Sequence, residues 1–155
     1  MDFSQIMGRL VVAMVCGALM GLERELAGKE AGVRTEMLVS GGASLFTLIA
    51  LNLPYILSDT PETSSAIFIH NAGVLSIIAN IVVGIGFLGA GIIIKNQSHV
   101  FGLTTAALVW TTGAIGVLVG LGMFEIAIAS SILFSGVLYL LRRMNIAEVV
   151  EAVRD

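Results

Sequence analysis

The chain reads as an all-α membrane protein, a bundle of five transmembrane helices. Three observations predict this. Of its 155 residues, 57% are hydrophobic and only 12% are charged, with a mean hydropathy of +0.99; a soluble domain carries about a quarter charged residues. The apolar residues fall in five runs, each near the roughly 17–25 residues that a helix needs to cross the hydrocarbon core. The runs lack the alternation of a barrel strand, and a continuous helix satisfies its own backbone polar groups in lipid. Eighteen glycines suit close helix packing in a bilayer.

The first span is placed at residues 6–22. The segment before it lacks a basic stretch, so it is expected to be retained rather than cleaved as a signal. The second span is placed at 37–57, the third at 72–94, the fourth at 101–119 and the fifth at 121–141. Gly120-Leu121-Gly122 reads as a tight hairpin between the last two. Together these make one membrane domain, residues 1–143, followed by a short tail, 144–155. In the tail Ile146, Val149, Val150 and Val153 share one helical face.

Basic residues set the orientation. Arg24, Lys29, Arg34, Lys95, Arg142, Arg143 and Arg154 fall on one side of the bundle and Arg9 on the other. The expectation is an outside N-terminus and a cytoplasmic C-terminus. The loop at 58–65 carries no Lys or Arg, as an outside loop should.

A charged cassette, residues 21–35, stands between spans one and two. It holds six of the nineteen charged residues. Glu23, Arg24, Glu25, Lys29, Arg34 and Thr35 are the candidate recognition residues, with Arg24 and Arg34 expected to pair with Glu23, Glu25, Glu30 or Glu36. The plainer reading is an interfacial loop whose charges anchor helix ends. Ala13, Gly17 and Gly21 form a small-residue ridge that admits a neighbouring helix.

Span three carries Gly84, Gly86, Gly89 and Gly91, expected to pack against other helices, and Asn80, an amide expected near mid-membrane. Asn80, Ser44, Thr104, Thr105 and Thr112 are expected to form a polar seam. The plainer reading is that the hydroxyls bond carbonyls of their own helices. Ser40, Ser44 and Thr47 share a face of span two. Trp110 is expected in the core.

Several functions are disfavoured. No carboxylate, Lys or His lies in the middle of a span, where a proton relay or coupled transporter usually keeps one. There is no phosphate-cradling glycine loop. His70 and His99 fall on opposite sides and cannot share a zinc, and Cys16 stands alone. No basic tract points to nucleic acid. No nucleophile–base pair is evident, so an enzyme is not expected. No cofactor is expected, although the acidic side chains of the cassette would suit hydrated Mg²⁺, which takes one or two carboxylates plus waters.

Gly21-Leu22-Glu23-Arg24-Glu25, Gly28-Lys29 and Ala31-Gly32-Val33-Arg34-Thr35 resemble the first signature of the MgtC/SapB family of bacterial membrane proteins. The stretch from Gly84 to Gly91, then Gly102-Leu103-Thr104-Thr105-Ala106-Ala107, Trp110 and Gly113-Ala114-Ile115-Gly116, resembles the second. The likeness runs over residues 10–143. It implies a five-helix protein of the bacterial inner membrane, linked to survival in low magnesium and to virulence. It also implies action by binding other membrane proteins, for the namesake branch an F-type ATP synthase. That branch carries a soluble C-terminal domain beyond the membrane part, and it tends to have Asn where this chain has Thr104. Both departures place this chain nearer the short members.

The expected function is therefore a non-enzymatic membrane regulator linked to magnesium, working in the lipid bilayer as a homodimer or with another inner-membrane protein. The alternative is a transporter or channel for Mg²⁺ or a small solute along the polar seam.

Overall fold

The computed structural model describes residues 1–57, 73–97 and 99–144. Among them five helices are long and apolar enough to cross a membrane. They are α1 (Phe3–Leu26), α2 (Val33–Leu57), α3 (Gly73–Ile92), α4 (Leu103–Leu121) and α5 (Phe124–Arg143). A small hairpin of β1 (Ile94–Asn96) and β2 (His99–Phe101) joins α3 to α4. The five-span bundle is thus as the sequence predicts. The 58–65 loop, His70 and the apolar face of the 144–155 tail, beyond Met144, lie outside the described residues.

Three differences at the ends of the predicted spans have physical reasons. Helix α1 runs on through Leu26, and α2 begins at Val33 rather than at residue 37. The cassette's charges therefore ride on helix ends, where intrahelical bonds extend the apolar helices by a turn. The turn between them is a closed C-terminal motif. Lys29 N–H donates to Arg24 O at 3.0 Å and Gly28 N–H to Glu25 O at 3.1 Å. Gly28 takes the left-handed conformation this needs, φ 62°. The third difference is at 94 and 101. Ile94 and Phe101, expected at helix ends, face each other in the hairpin instead.

Helix α4 is the centre of the bundle. In its most apolar window 61% of residues are buried, against 6% for α3 and 11% for α5. It touches all four other helices, and α1 pairs with α2 along their length. One apolar cluster joins Ala13, Cys16 and Met20 of α1 to Leu108, Ile115 and Val119 of α4 and Ala127 of α5. A smaller one joins Ala43, Ile81 and Val117. Trp110 is 50% exposed, which corrects the core assignment. It lies with Leu103, Ala107 and Ala114 on an exposed stripe of α4 at helical spacing.

Two arginines lock α1 to the α4–α5 pair, one at each end. Arg9 donates to Gly120 O at the C-terminus of α4 and lies over the Phe124 ring, 5.9 Å from its centroid. Arg142 donates to Leu26 O at the C-terminus of α1 at 3.0 Å. A cation suits a helix C-terminus, where the backbone carbonyls concentrate negative charge.

Candidate functional site

A row of polar side chains runs down the buried face of α2. Glu36, Ser40, Ser44 and Thr47 stand four, four and three residues apart, and each is 0% exposed. The row faces α1 and α4. What lets these helices close over it is a set of glycines. A Cβ at Gly17 of α1 would overlap Glu36 O, and one at Gly116 of α4 would overlap Ser40 O. One at Gly120 would stand 2.6 Å from Thr47 Cβ. Close backbone approach brings polar atoms of three helices together inside an apolar bundle.

At the end of the row sit the cassette residues Glu23 and Arg24, each 7% exposed. Arg24 Nη2 donates to Thr105 Oγ1 of α4 at 3.1 Å, and Nη1 lies 3.6 Å from Glu23 Oε2. Thr112 of α4 is also 0% exposed, and it stands one turn before Gly116, which packs on Ser40, just as Glu36 stands one turn before Ser40 on α2. Several polar atoms here have no hydrogen-bond partner: Glu23 Oε2, Arg24 Nε, both Glu36 carboxylate oxygens, Ser40 Oγ, Ser44 Oγ and Thr112 Oγ1. Buried polar atoms are rarely left so, because each costs about 1–3 kcal/mol unpaired.

The rest of the cassette plays other parts. Glu25 is exposed; its Oε2 accepts from Val33 N–H at 3.0 Å and so caps the start of α2 from across the turn. Gly21 packs against the Gly32–Val33 backbone. Lys29, Glu30, Arg34 and Thr35 are exposed. The pairing expected of Arg24 is therefore with its neighbour Glu23, whereas Arg34 faces out.

The expected seam divides. Ser44, Thr105 and Thr112 belong to the buried row and its facing helix. Asn80 and Thr104 do not reach it, because both are exposed. The Asn80 amide donates to Ser76 O of its own helix at 2.9 Å, and so needs no partner across the bundle. With Arg34, Thr35, Leu38, Phe46 and Leu88 it borders an open groove of about 640 Å³ between α2 and α3. Helix packing divides as well. Gly17 and Gly21 are closely packed, and Gly89 meets Ala106 at ordinary contact distance. Gly84, Gly86 and Gly91 have open space where a Cβ would stand, which corrects their assignment to packing within one copy.

Glu36 is the site residue that sequence reasoning undervalued. Placing the second span at residue 37 cut it off from Ser40, Ser44 and Thr47, although the four-residue step from Ser40 leads straight back to it. Among the described residues no group of three His, Cys, Asp or Glu is arranged to hold a metal.

The glycines that close α1 and α4 over α2 lie within the stretch that comparison with known proteins identifies. The MgtC family is matched over residues 10–146. The chain is 41% identical over 124 residues to Protein MgtC of Salmonella typhimurium, covering 80% of this chain and 47% of that protein. It is 36% identical over 131 residues to Putative magnesium transporter YhiD of Escherichia coli K12, covering 80% and 54%. It is 37% identical over 133 residues to Uncharacterized protein slr0014 of Synechocystis, covering 86% and 50%. The chain thus spans about half the length of the curated relatives it matches. No solved structure matches it significantly. From the α1–α2 cassette through the whole of α5 the sequence is that of one known group, and the chain belongs to the MgtC family.

Proposed function

We propose that the chain is a non-enzymatic regulator in the bacterial inner membrane that serves adaptation to magnesium supply by binding other membrane proteins. The observation that carries this reading is the contrast between a sealed centre and an open rim. The polar row of α2 is closed over by glycine backbone contacts from α1 and α4. Helices α3 and α5 present long apolar faces outward, including Phe87 at 83% exposed and Leu133 at 62%. Such faces suit partner helices as well as lipid. Lys29, Arg34 and Thr35 then stand at the mouth as polar recognition residues. The reading includes a cytoplasmic C-terminus and a homodimer joined through the open glycines of α3. Magnesium enters from the printed name of the Escherichia coli relative and from the family.

A second reading, a transporter or channel for Mg²⁺ or a small solute, draws on the row itself. From Glu36 to Thr47 it extends roughly 16 Å at 1.5 Å per residue, about half the hydrocarbon thickness. One experiment separates the two. The purified chain is reconstituted in proteoliposomes, and Mg²⁺ entry is followed with a trapped indicator. In parallel, partners are crosslinked in native membranes to the wild type and to Arg34→Glu. The regulator reading expects no saturable flux from folded protein, and a specific membrane partner lost in Arg34→Glu. Saturable flux that Ser44→Leu abolishes would replace it with the transporter.

A further inference from the structure

We propose that Glu36, Ser40 and Thr112 form a binding site for one desolvated monovalent cation of the Na⁺ class. The site lies at the α1–α2–α4 junction and is independent of the regulator reading.

Charge is the first ground. The buried cluster holds Glu23, Arg24 and Glu36, so its formal charge is −1. The Arg24 guanidinium is turned to Glu23 and Thr105, and it donates no hydrogen bond to Glu36. An uncompensated carboxylate in a bundle interior is costly enough to require a counter-charge. A monovalent cation brings the cluster to zero, whereas a divalent one leaves it at +1.

The donor set is the second ground. Both Glu36 oxygens, Ser40 Oγ and Thr112 Oγ1 are buried and unpartnered. All are hard oxygen donors. Ser40 follows Glu36 by one turn on the same face, and Thr112, one turn before the Gly116 that packs on Ser40, stands level with them on the facing helix. A proton would satisfy one of these oxygens, but a cation satisfies several. Mg²⁺ demands a near-ideal octahedron and retains several waters, and the site offers a single carboxylate with two hydroxyls. Ser44, two turns from Glu36, is about 12 Å along the helix and belongs to no common ion.

Position is the third ground. Gly17 rests on the Glu36 backbone and Gly116 on the Ser40 backbone. These contacts hold the three donors on rigid helices, as a small site requires.

The test is thermal unfolding of the purified full chain in detergent, read by Trp110 fluorescence. Samples contain NaCl, choline chloride or MgCl₂ at matched ionic strength. NaCl is expected to raise the midpoint saturably by about 5 °C over choline chloride when the ion is well above its Kd. Glu36→Gln is expected to remove that rise. Ser40→Ala, which deletes only an oxygen, is expected to move the half-effect to about ten-fold higher Na⁺, and the exposed control Glu30→Gln to leave it unchanged. Should Glu36→Gln fail to fold, Ser40→Ala decides. Equal midpoints in NaCl and choline chloride, or an Na⁺ effect untouched by Ser40→Ala, would overturn the site. A larger rise with MgCl₂ than with NaCl would overturn the monovalent assignment. A rise on acidification without any Na⁺ dependence would give the counter-charge to a proton and overturn the cation site.

Discussion

The same residue, glycine, does opposite things in two parts of this bundle. In α1 and α4, Gly17, Gly116 and Gly120 are where backbones of neighbouring helices meet. In α3, Gly84, Gly86 and Gly91 look into open space. Polar groups follow the same division. Of those on α2 that face α1 and α4, all are buried, and Glu36, Ser40 and Ser44 are short of partners, while Thr47 donates to Ala43 O of its own helix at 2.8 Å. Asn80 on α3 is exposed and satisfied by its own helix. The inner three helices therefore enclose a buried polar row between them, and α3 and α5 turn mostly apolar faces outward. The lesson is that a glycine's meaning in a membrane helix is set by the face it occupies, which composition does not reveal.

The largest break in this contrast is expected at Arg24. Arg24→Ala removes a buried cation from beside Glu23 and takes the donor from Thr105. Breaking a buried charge pair from one side costs about 3–5 kcal/mol. The variant should unfold at markedly lower SDS than wild type in mixed micelles. Charge reversal at the exposed Arg34, by comparison, should shift the same transition by less than about 0.5 kcal/mol. Equal losses at both positions would mean that Arg24 is not buried as described.

Next comes the inner glycine ridge. Gly116→Val places a branched side chain on the Ser40 carbonyl and within 2.9 Å of Ala43 Cβ. Backbone cannot give way as a flexible side chain does, so overpacking should cost about 1–3 kcal/mol or more. The same unfolding assay measures it.

Smaller again is the link at the α4–α5 turn. Arg9→Ala loses the bond to Gly120 O and the contact with the Phe124 ring. A hydrogen bond from a charged group is worth about 1.5–3 kcal/mol, less where it is partly exposed to water. The expected loss is near 1 kcal/mol, and Arg9→Lys should recover part of it, since Lys keeps the charge and loses the planar fork.

The bundle itself was legible because lipid imposes a coarse rule on sequence. Each run long enough to span is a helix, and all five emerged. The hairpin at 94–101 was not legible, since two three-residue strands carry too few alternations to stand out beside the apolar residues of α3 and α4. At the site, the face shared by Ser40, Ser44 and Thr47 was readable from spacing, and so was the joining of Gly17 and Gly21 in one ridge. The place of Asn80 was not. A polar residue in the middle of a span invites an interior position, but a side chain that bonds the carbonyl four residues back can face outward. Nor does sequence tell which glycines of α3 meet another helix, because that depends on the rotation of a helix that is apolar all round. Glu36 fell between the two cases. Its spacing places it on the row, but the span read from hydropathy begins one residue after it.

The smallest effect tests the outer half of the comparison. Gly84→Leu adds a large side chain where nothing stands within 4 Å of the Cβ position. Within one copy it meets lipid or the open groove, so the unfolding transition should move by less than about 0.5 kcal/mol. Helix propensity even favours the change by up to about 1 kcal/mol in an exposed helix interior. A homodimer joined along the α3 glycines predicts a second result from the same protein. Leucine would hold the two backbones apart, and crosslinked dimer in membranes should fall several-fold while stability stays constant. Dimer unchanged beside wild-type stability would leave α3 to lipid and move the search for a partner surface to α5. Lost stability would instead place Gly84 in a packed interior and erase the difference between the two sets of glycines.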